Sequence, residues 1–464
     1  MWYVDTFEAK SIGEVKFGRF GMRSGSPDIP PRFQLLGGEF FSLGQDAVFY
    51  ERIRNLGDDV RVTILGALRD TAFDESIFNA CRNELVTQES LLRSVDARTV
   101  ETQFRRIAHG GRTLERIFFA YRGPGVFGDN RAPLIDVEVL PDSSPPTNVH
   151  AIIGSNGAGK TTLLRDIATA VLEPRAILPD SRGQIVDEQG NSIKPFVNLI
   201  SVSFSSFDEA QFVESSRSIT HRHVSIYRQA EDGSQTYVPK SAQHLSEEFA
   251  EAAAGLTPRQ LDRWKDVLTV AATDPILEEA LAPILNSVAG ARVGQGDMLP
   301  IFSSLSSGHK IVLLALTHLA KLVAERTLIL ADEPETHLHP PLLSSFMRAL
   351  SGLLVEQNGV ALVATHSPVV LQEMPRSCVW KLRRSGQSIK AARLAIETFG
   401  ENVGVLTREV FGLEITRSGF HRMLEDSVGE GMNYAEILQK FQGQLGGEAK
   451  SLIRALLAER MMGD

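Results

Sequence analysis

Nine consecutive residues carry the clearest chemistry in the sequence. Gly154, Ser155, Asn156, Gly157, Ala158, Gly159, Lys160, Thr161 and Thr162 follow the spacing GxxxxGK[ST] in full. Glycines in such a run let successive backbone N–H groups curl around phosphate oxygens, and a helix opening at the lysine adds the positive end of its dipole. The run predicts a nucleoside triphosphate site. Lys160 would reach the β- and γ-phosphates and the Thr161 hydroxyl would help hold Mg²⁺, so ATP and Mg²⁺ are the expected cofactors.

Three further groups follow in an order that fits this site. Thr327 to Ala331 is apolar and ends in Asp332-Glu333. At a strand end Asp332 can bind Mg²⁺ through water, and Glu333 can polarise an attacking water as general base. Upstream, Leu305-Ser306-Ser307-Gly308-His309 opens a helical stretch expected over Lys310 to Ala324, and Gly308 precedes Asp332 by 24 residues, room for one helix and a turn. That helix start is a second anion-binding end. One nucleotide does not need two such ends from one chain, so Ser306, Ser307 and Gly308 are expected to serve ATP held by another copy. Ala361 to Ala364 then runs into Thr365-His366-Ser367-Pro368. His366 at a strand end can touch the γ-phosphate and sense its loss. Taken singly, Ser306 is an ordinary helix cap and His366 a structural histidine; their order along the chain favours the functional reading.

These residues need strands and helices to aim them. Val149 to Ile153 runs into the glycine-rich loop as a buried parallel strand should, with a helix from Lys160 to Ala170 after it. Ile117 to Tyr121 and Leu134 to Val139 read as strands, followed by a turn at Ser143 to Pro146. The expected class is α/β, a mixed sheet with helices. The expected division is an N-terminal α+β domain over 1–110, with helices at Val60 to Leu68 and Ser90 to Ala108; a nucleotide-binding core over 111–208 and 301–395; a mostly helical insertion over 209–300, broken by Pro239, Pro258, Pro275 and Pro283; and a C-terminal helical region over 396–464, including an amphipathic stretch from Ala449 to Arg460. The first 110 residues show no chemical motif.

Composition narrows the classes. With 48 basic and 57 acidic residues the formal charge is −9, which argues against a surface that coats nucleic acid throughout but leaves room for a local basic groove. Cys81 and Cys378 stand alone, outside any Cys/His spacing, so neither a zinc site nor a disulfide framework is expected. Met1 to Asp5 lacks a basic region followed by an apolar run, and the apolar stretch Ile311 to Leu316 is too short for a bilayer. A cytoplasmic protein without a membrane partner is expected.

The order phosphate loop, Leu-Ser-Ser-Gly-His, Asp-Glu strand and Thr-His resembles the ABC-type P-loop ATPases over roughly residues 115–205 and 300–395. In that family two nucleotides lie in a head-to-tail dimer, each between one copy's phosphate loop and the other's signature helix. The resemblance implies that Ser306 and Gly308 meet ATP bound at Lys160 of a second copy, in a homodimer or a higher oligomer of dimers. The continuation Asp332-Glu333-Pro334-Glu335-Thr336-His337-Leu338-His339-Pro340 is similar to the soluble AAA-family branch that includes overcoming-lysogenization-defect (OLD), RecF-like and SMC-like ATPases. It is most similar to ATPase subunits of bacterial anti-phage systems such as PtuA of Septu. In this context His337 and His339 line the loop after Glu333 rather than form a metal pair. There are departures. No glutamine stands near Val202 to Asp208, where the family's glutamine loop belongs, and Gln211 is the nearest. Long coiled-coil arms, Toprim carboxylates and an HNH set around His221-Arg222-His223 are missing from the sequence. The resemblance implies an ATPase that acts as regulatory scaffold for a separate HNH- or Toprim-type nuclease subunit in anti-phage defence. The alternative is a DNA-repair or DNA-organising ATPase of RecF/SMC type, which predicts a basic groove; Lys381, Arg383, Arg384 and Arg393 form one basic patch and Arg105 and Arg106 another, though such patches are usually solvated faces. A transporter ATPase fits less well, given the N-terminal domain and the His-Leu-His-Pro loop.

Overall fold

The computed structural model describes residues 1–4, 9–23, 25–95, 97–111, 114–123, 134–172, 183–204, 219–229, 237–272, 275–285, 295–385, 388–416 and 419–463. The chain opens with two antiparallel pairs, β1 (Trp2–Val4) with β2 (Ala9–Ser11) and β3 (Val15–Arg19) with β4 (Phe40–Gly44). Helices α1 (Ala47–Arg54), α2 (Asp58–Ala67) and α3 (Glu75–Cys81) follow. Asp46 and Asp74 cap α1 and α3, accepting from Phe49 N–H and from the Ser76 and Ile77 N–H groups. The single helix expected over Ser90 to Ala108 is not formed. Two π-helical turns, Thr87–Leu91 and Val100–Phe104, stand beside the short pieces α4 (Ala97–Thr99) and α5 (Arg105–Ala108). Ser94 interrupts the run, and such a side chain competes for backbone bonds that a helix needs. This first unit closes on its own core of Phe41, Phe49, Tyr50, Phe78 and Phe104.

The next elements are β5 (Ile117–Arg122), β6 (Leu134–Val139), β7 (Val149–Ile153), α6 (Lys160–Leu172), β8 (Gln184–Val186), β9 (Asn198–Ser203) and β10 (Thr220–Ser225). A small hairpin, β11 (Tyr227–Gln229) and β12 (Tyr237–Pro239), leads to α7 (Ala242–Ala254), α8 (Pro258–Ala271), α9 (Pro275–Leu285), α10 (Gln295–Ser304) and α11 (Ser307–Leu322). Then come β13 (Thr327–Asp332), a 3₁₀ turn at Pro334–His337, α12 (Pro340–Val355), β14 (Val360–Thr365), α13 (Pro368–Leu371) and the hairpin β15 (Val379–Ser385) with β16 (Ser388–Arg393). Helices α14 (Val403–Thr416), α15 (Gly419–Gly429), α16 (Tyr434–Lys440) and α17 (Gly447–Gly463) end the described chain, the last three around Leu424, Val428, Ile437 and Ile453.

Seven strands form the main sheet in the order β10-β9-β13-β14-β7-β15-β16, parallel except for the final antiparallel pair. Its central strands are apolar on both sides because both faces are covered. On one face α6 lies between the main sheet and an antiparallel sheet ordered β6-β5-β8; Leu163, Ile167 and Val171 pack between Ile152, Leu330 and Leu362 and the ring of Phe119. On the other face Ile153, Ile329 and Val363 share one core with α7 to α12, through Phe249, Trp264, Phe302, Leu313 and Phe346.

The boundary expected at 208/209 therefore does not separate two packing units. β10 lies inside the stretch read as a helical insertion, yet it pairs in parallel with β9 as the edge strand of the main sheet. An edge strand with one covered face needs little apolar sequence, and of Thr220 to Ser225 only Val224 is buried. Residues 205–211, with the glutamine-loop candidate Gln211, lie outside the described residues. None of the described helices is long and apolar enough to cross a membrane.

Candidate functional site

The glycine-rich run leaves β7 and becomes α6. Gly157 and Gly159 take φ of +77° and +95°, a region that suits glycine. The hairpin β15–β16 backs the loop closely: a Cβ on Gly154 would lie 2.7 Å from the Leu382 carbonyl oxygen, and one on Gly159 would lie 2.8 Å from Ile389 Cδ1. Leu163 N–H bonds the Gly159 carbonyl at 2.9 Å. The N–H groups of Lys160, Thr161 and Thr162 are thus the first-turn donors that a helix leaves to a ligand. Lys160 is buried, and its Nζ donates to the carbonyls of Gly154 at 3.0 Å and Ser155 at 3.3 Å. A buried ammonium above a ring of N–H donors fits a polyphosphate. The Thr161 hydroxyl and the buried Asp332 carboxylate are hard oxygen donors of the kind Mg²⁺ takes.

Strand β13 carries Asp332 to the same edge. Glu333 follows in a left-handed conformation, φ +44° and ψ +57°. Its N–H bonds the Ala364 carbonyl at 2.9 Å, and its own carbonyl accepts the Thr336 hydroxyl at 2.8 Å. Glu333 Oε1 lies 4.0 Å from Lys160 Nζ and 3.6 Å from His366 Nδ1. The strand register explains the meeting: Asp332 lies opposite Ser203 and Ala364, and Thr365 lies opposite Ile153. Lys160, Asp332, Glu333 and His366 therefore share one end of the sheet.

Ser306 caps α11, accepting from His309 N–H at 3.4 Å, so the helix starts earlier than expected. Gly308 is buried, and a Cβ there would lie 3.0 Å from the His337 carbonyl oxygen; the start of α11 is packed against the 334–337 turn. Ser306 and Ser307 are exposed. The described hydrogen bonds and ion pairs of Lys160, Glu333 and His366 do not include Ser306, Ser307 or Gly308. His337 Nε2 lies 3.1 Å from the Phe204 carbonyl, and His339 caps α12.

Sequence reasoning missed Glu335. Its Oε1 accepts from the Thr365 hydroxyl at 2.7 Å and the His366 N–H at 2.6 Å, and lies 3.0 Å from His366 Nδ1. The signal was its place in the run Asp332 to Pro340 that carries the family resemblance, where it was given no role of its own.

The expected basic group divides. Arg393 stacks on Trp380, 3.8 Å from the ring centroid, and pairs with Asp136 at 2.8 Å, while the buried Lys381 donates to the Glu409 carbonyl. Arg383 and Arg384 stay exposed. With Lys381 and Arg408 they line a cleft of about 640 Å³ beside Ser155 to Ala158. Arg105 pairs with Glu75 at 3.1 Å, and Arg105 and Arg106 line a cleft between the first unit and helices α8 and α12.

A family model described as "AAA domain, putative AbiEii toxin, Type IV TA system" matches residues 293–372, the stretch that holds Ser306 to Gly308, Asp332, Glu333 and His366. Solved structures similar to the chain include cbiO1 from Clostridium perfringens, part of the ABC transporter complex cbiONQ, with TM-score 0.31 and 16% identity over 65% of this chain and 94% of that one. A bacterial Atm1-family ABC exporter with ATP bound gives TM-score 0.31 and 15% identity over 73% of this chain and 48% of that one. Protein ea59 of Escherichia phage lambda is 35% identical over 498 residues, spanning 99% of this chain and 92% of that protein. The chain carries an AAA-type P-loop ATPase domain and belongs to the family of phage lambda protein ea59.

Proposed function

We propose that the chain binds ATP with Mg²⁺ and hydrolyses it at a site shared by two copies, and that closure of this dimer regulates a separate nuclease subunit in antiviral defence. The observation that carries the ATP chemistry is the meeting of Lys160, Asp332, Glu333 and His366 at one end of the main sheet. The N–H groups of Gly157 and of Gly159 to Thr162 would bind phosphate, and Lys160 would offset the charge of the β- and γ-phosphates. Thr161 and Asp332 would hold Mg²⁺, which when bound draws charge from the phosphates. Glu333 takes the proton of the attacking water, and His366 touches the γ-phosphate and registers its loss. Ser306, Ser307 and Gly308 would meet the ATP of a second copy, which makes ATP affinity higher in the closed dimer than in the open one. That difference is the whole of what ATP can contribute to closure. The regulatory part rests on the resemblance to anti-phage ATPases and on a family description that names a toxin of a type IV toxin–antitoxin system.

Two variants test the chemistry. Lys160→Ala abolishes ATP binding in a folded protein, and Glu333→Gln retains binding but accumulates an ATP-bound dimer on sizing. Undiminished turnover in either would overturn the assignment. Co-expression with the genes that adjoin its own tests the rest. A stoichiometric HNH or Toprim nuclease supports regulation, and a protein that elutes alone refutes it while leaving the ATP chemistry intact.

A second reading, a DNA-repair or DNA-organising ATPase of RecF/SMC type, draws on the cleft lined by Lys381, Arg383, Arg384 and Arg408. It requires DNA binding that weakens steeply with salt and with Arg383→Ala/Arg384→Ala; equal binding by that variant counts against it.

A further inference from the structure

His366 reaches the site from the end of β14 with its side chain 47% exposed. Packing alone does not fix so open a ring. Glu335 is what grips it. A single oxygen of that carboxylate, Oε1, accepts the Thr365 hydroxyl and the His366 N–H and stands 3.0 Å from His366 Nδ1. Ser367 N–H in turn bonds the Thr365 hydroxyl oxygen at 2.9 Å. The Glu335 side chain is only 7% exposed. The Glu335 end of these contacts is therefore shielded from water, which strengthens a charge-assisted contact, while the His366 end stays open.

An Nδ1–H facing a carboxylate at this distance would be favoured electrostatically, and it would leave the other ring nitrogen, Nε2, for a ligand. Glu333 lies 3.6 Å from the same Nδ1. Glu333 and Glu335 flank Pro334 on one tight turn. A turn that shifted would move the carboxylate beside the lysine and the grip on the histidine together.

We propose that Glu335 is a positioning residue for ATP hydrolysis, acting through His366: it sets the ring so that Nε2 meets the γ-phosphate and ties that ring to the turn bearing Glu333. This rests on the reading of His366 as the γ-phosphate contact.

The test uses the full-length chain with ATP and compares wild type, Glu335→Gln, Glu335→Ala, His366→Ala and the double variant Glu335→Gln/His366→Ala, each checked for a cooperative melt. Glu335→Gln keeps the shape and an acceptor for Thr365 but loses the charge. It is expected to lower kcat about 10- to 100-fold with KM little changed, the range typical when a group that orients a histidine is removed. The double variant is expected to be no slower than His366→Ala alone, because two residues acting as a unit are not additive. A normal kcat in Glu335→Gln, or additive losses in the double variant, overturns the proposal. Imidazole ¹⁵N spectra, assigned with His366→Ala, give a readout that needs no turnover. The Nδ1–H form is expected in wild type and depleted in Glu335→Ala, and an unchanged tautomer overturns the proposal. A wild type that neither binds nor hydrolyses ATP would sink the ATPase reading, and the ring spectra would still decide whether Glu335 sets His366.

Discussion

At the scale of single residues, Glu333 holds a backbone conformation that costs a side-chain-bearing residue on the order of 1–3 kcal/mol. The Ala364 carbonyl and the Thr336 hydroxyl hold it there, so the chain keeps a strained residue at the point where the chemistry is proposed. Gly154 is constrained differently. Its missing Cβ leaves space for the Leu382 carbonyl of β15. Gly154→Ala must push that backbone away, and is expected to cost roughly 1–3 kcal/mol, as overpacking does, and to weaken ATP binding as the loop shifts. Denaturant unfolding and ATP titration check this, and a variant as stable and as tightly bound as wild type would contradict it. The residues legible in the sequence were those whose chemistry lies in a contiguous run, such as Gly154 to Thr162 and Asp332-Glu333. Glu335 was not legible, because its meaning lies in Thr365 and His366, which only the pairing of β13 with β14 brings to it.

At the scale of elements, two buried titratable groups pull in opposite directions with pH. Asp70, in the turn after α2, accepts the Tyr50 hydroxyl and the Ala72 and Phe73 N–H groups, but burial dominates and pushes its carboxyl up to about 7. An unfolded aspartate titrates near 3.8. Between these values the folded first unit holds a proton that the unfolded chain lacks. Its stabilising contribution is full below the unfolded value and is lost as pH rises toward 7, by about 1.4 kcal/mol per pH unit at most. His150, on the strand before the phosphate loop, is pulled down to about 3, first by burial and then by the Arg393 charge. Here the folded state lacks a proton that the unfolded chain takes up below 6.5, so the contribution is present above that value and fades as pH falls. Hydrogen exchange between about pH 4 and 6.5 should show peptides around Asp70 gaining protection, and those around His150 losing it, as the solution is acidified. Asp70→Asn should flatten the first trend alone. Parallel trends in both regions would refute the assignment. At this scale the buried strands were legible as apolar runs. β10 was hidden because an edge strand can be polar, and the π-helical turns carry no spacing of their own.

For the whole molecule, the residues proposed to handle ATP span 154–366, while the first unit closes on a separate core. A fragment of residues 1–111 is therefore expected to fold by itself, with a cooperative thermal transition by circular dichroism; a fragment without one would show that the charged cleft against α8 and α12 is needed to hold the unit together. Four strands of the main sheet, meanwhile, end level. Ser203, Asp332, Ala364 and Ile152 lie side by side in one row across four strands. Such a row works as a ruler. Every strand must present the right residue at the same graduation, and its length is measured against its neighbours. Deleting one residue from β13 would draw Glu333 back by about 3.3 Å and turn each following side chain to the opposite face. Length changes should thus be confined to the connections between strands, where the ruler does not reach.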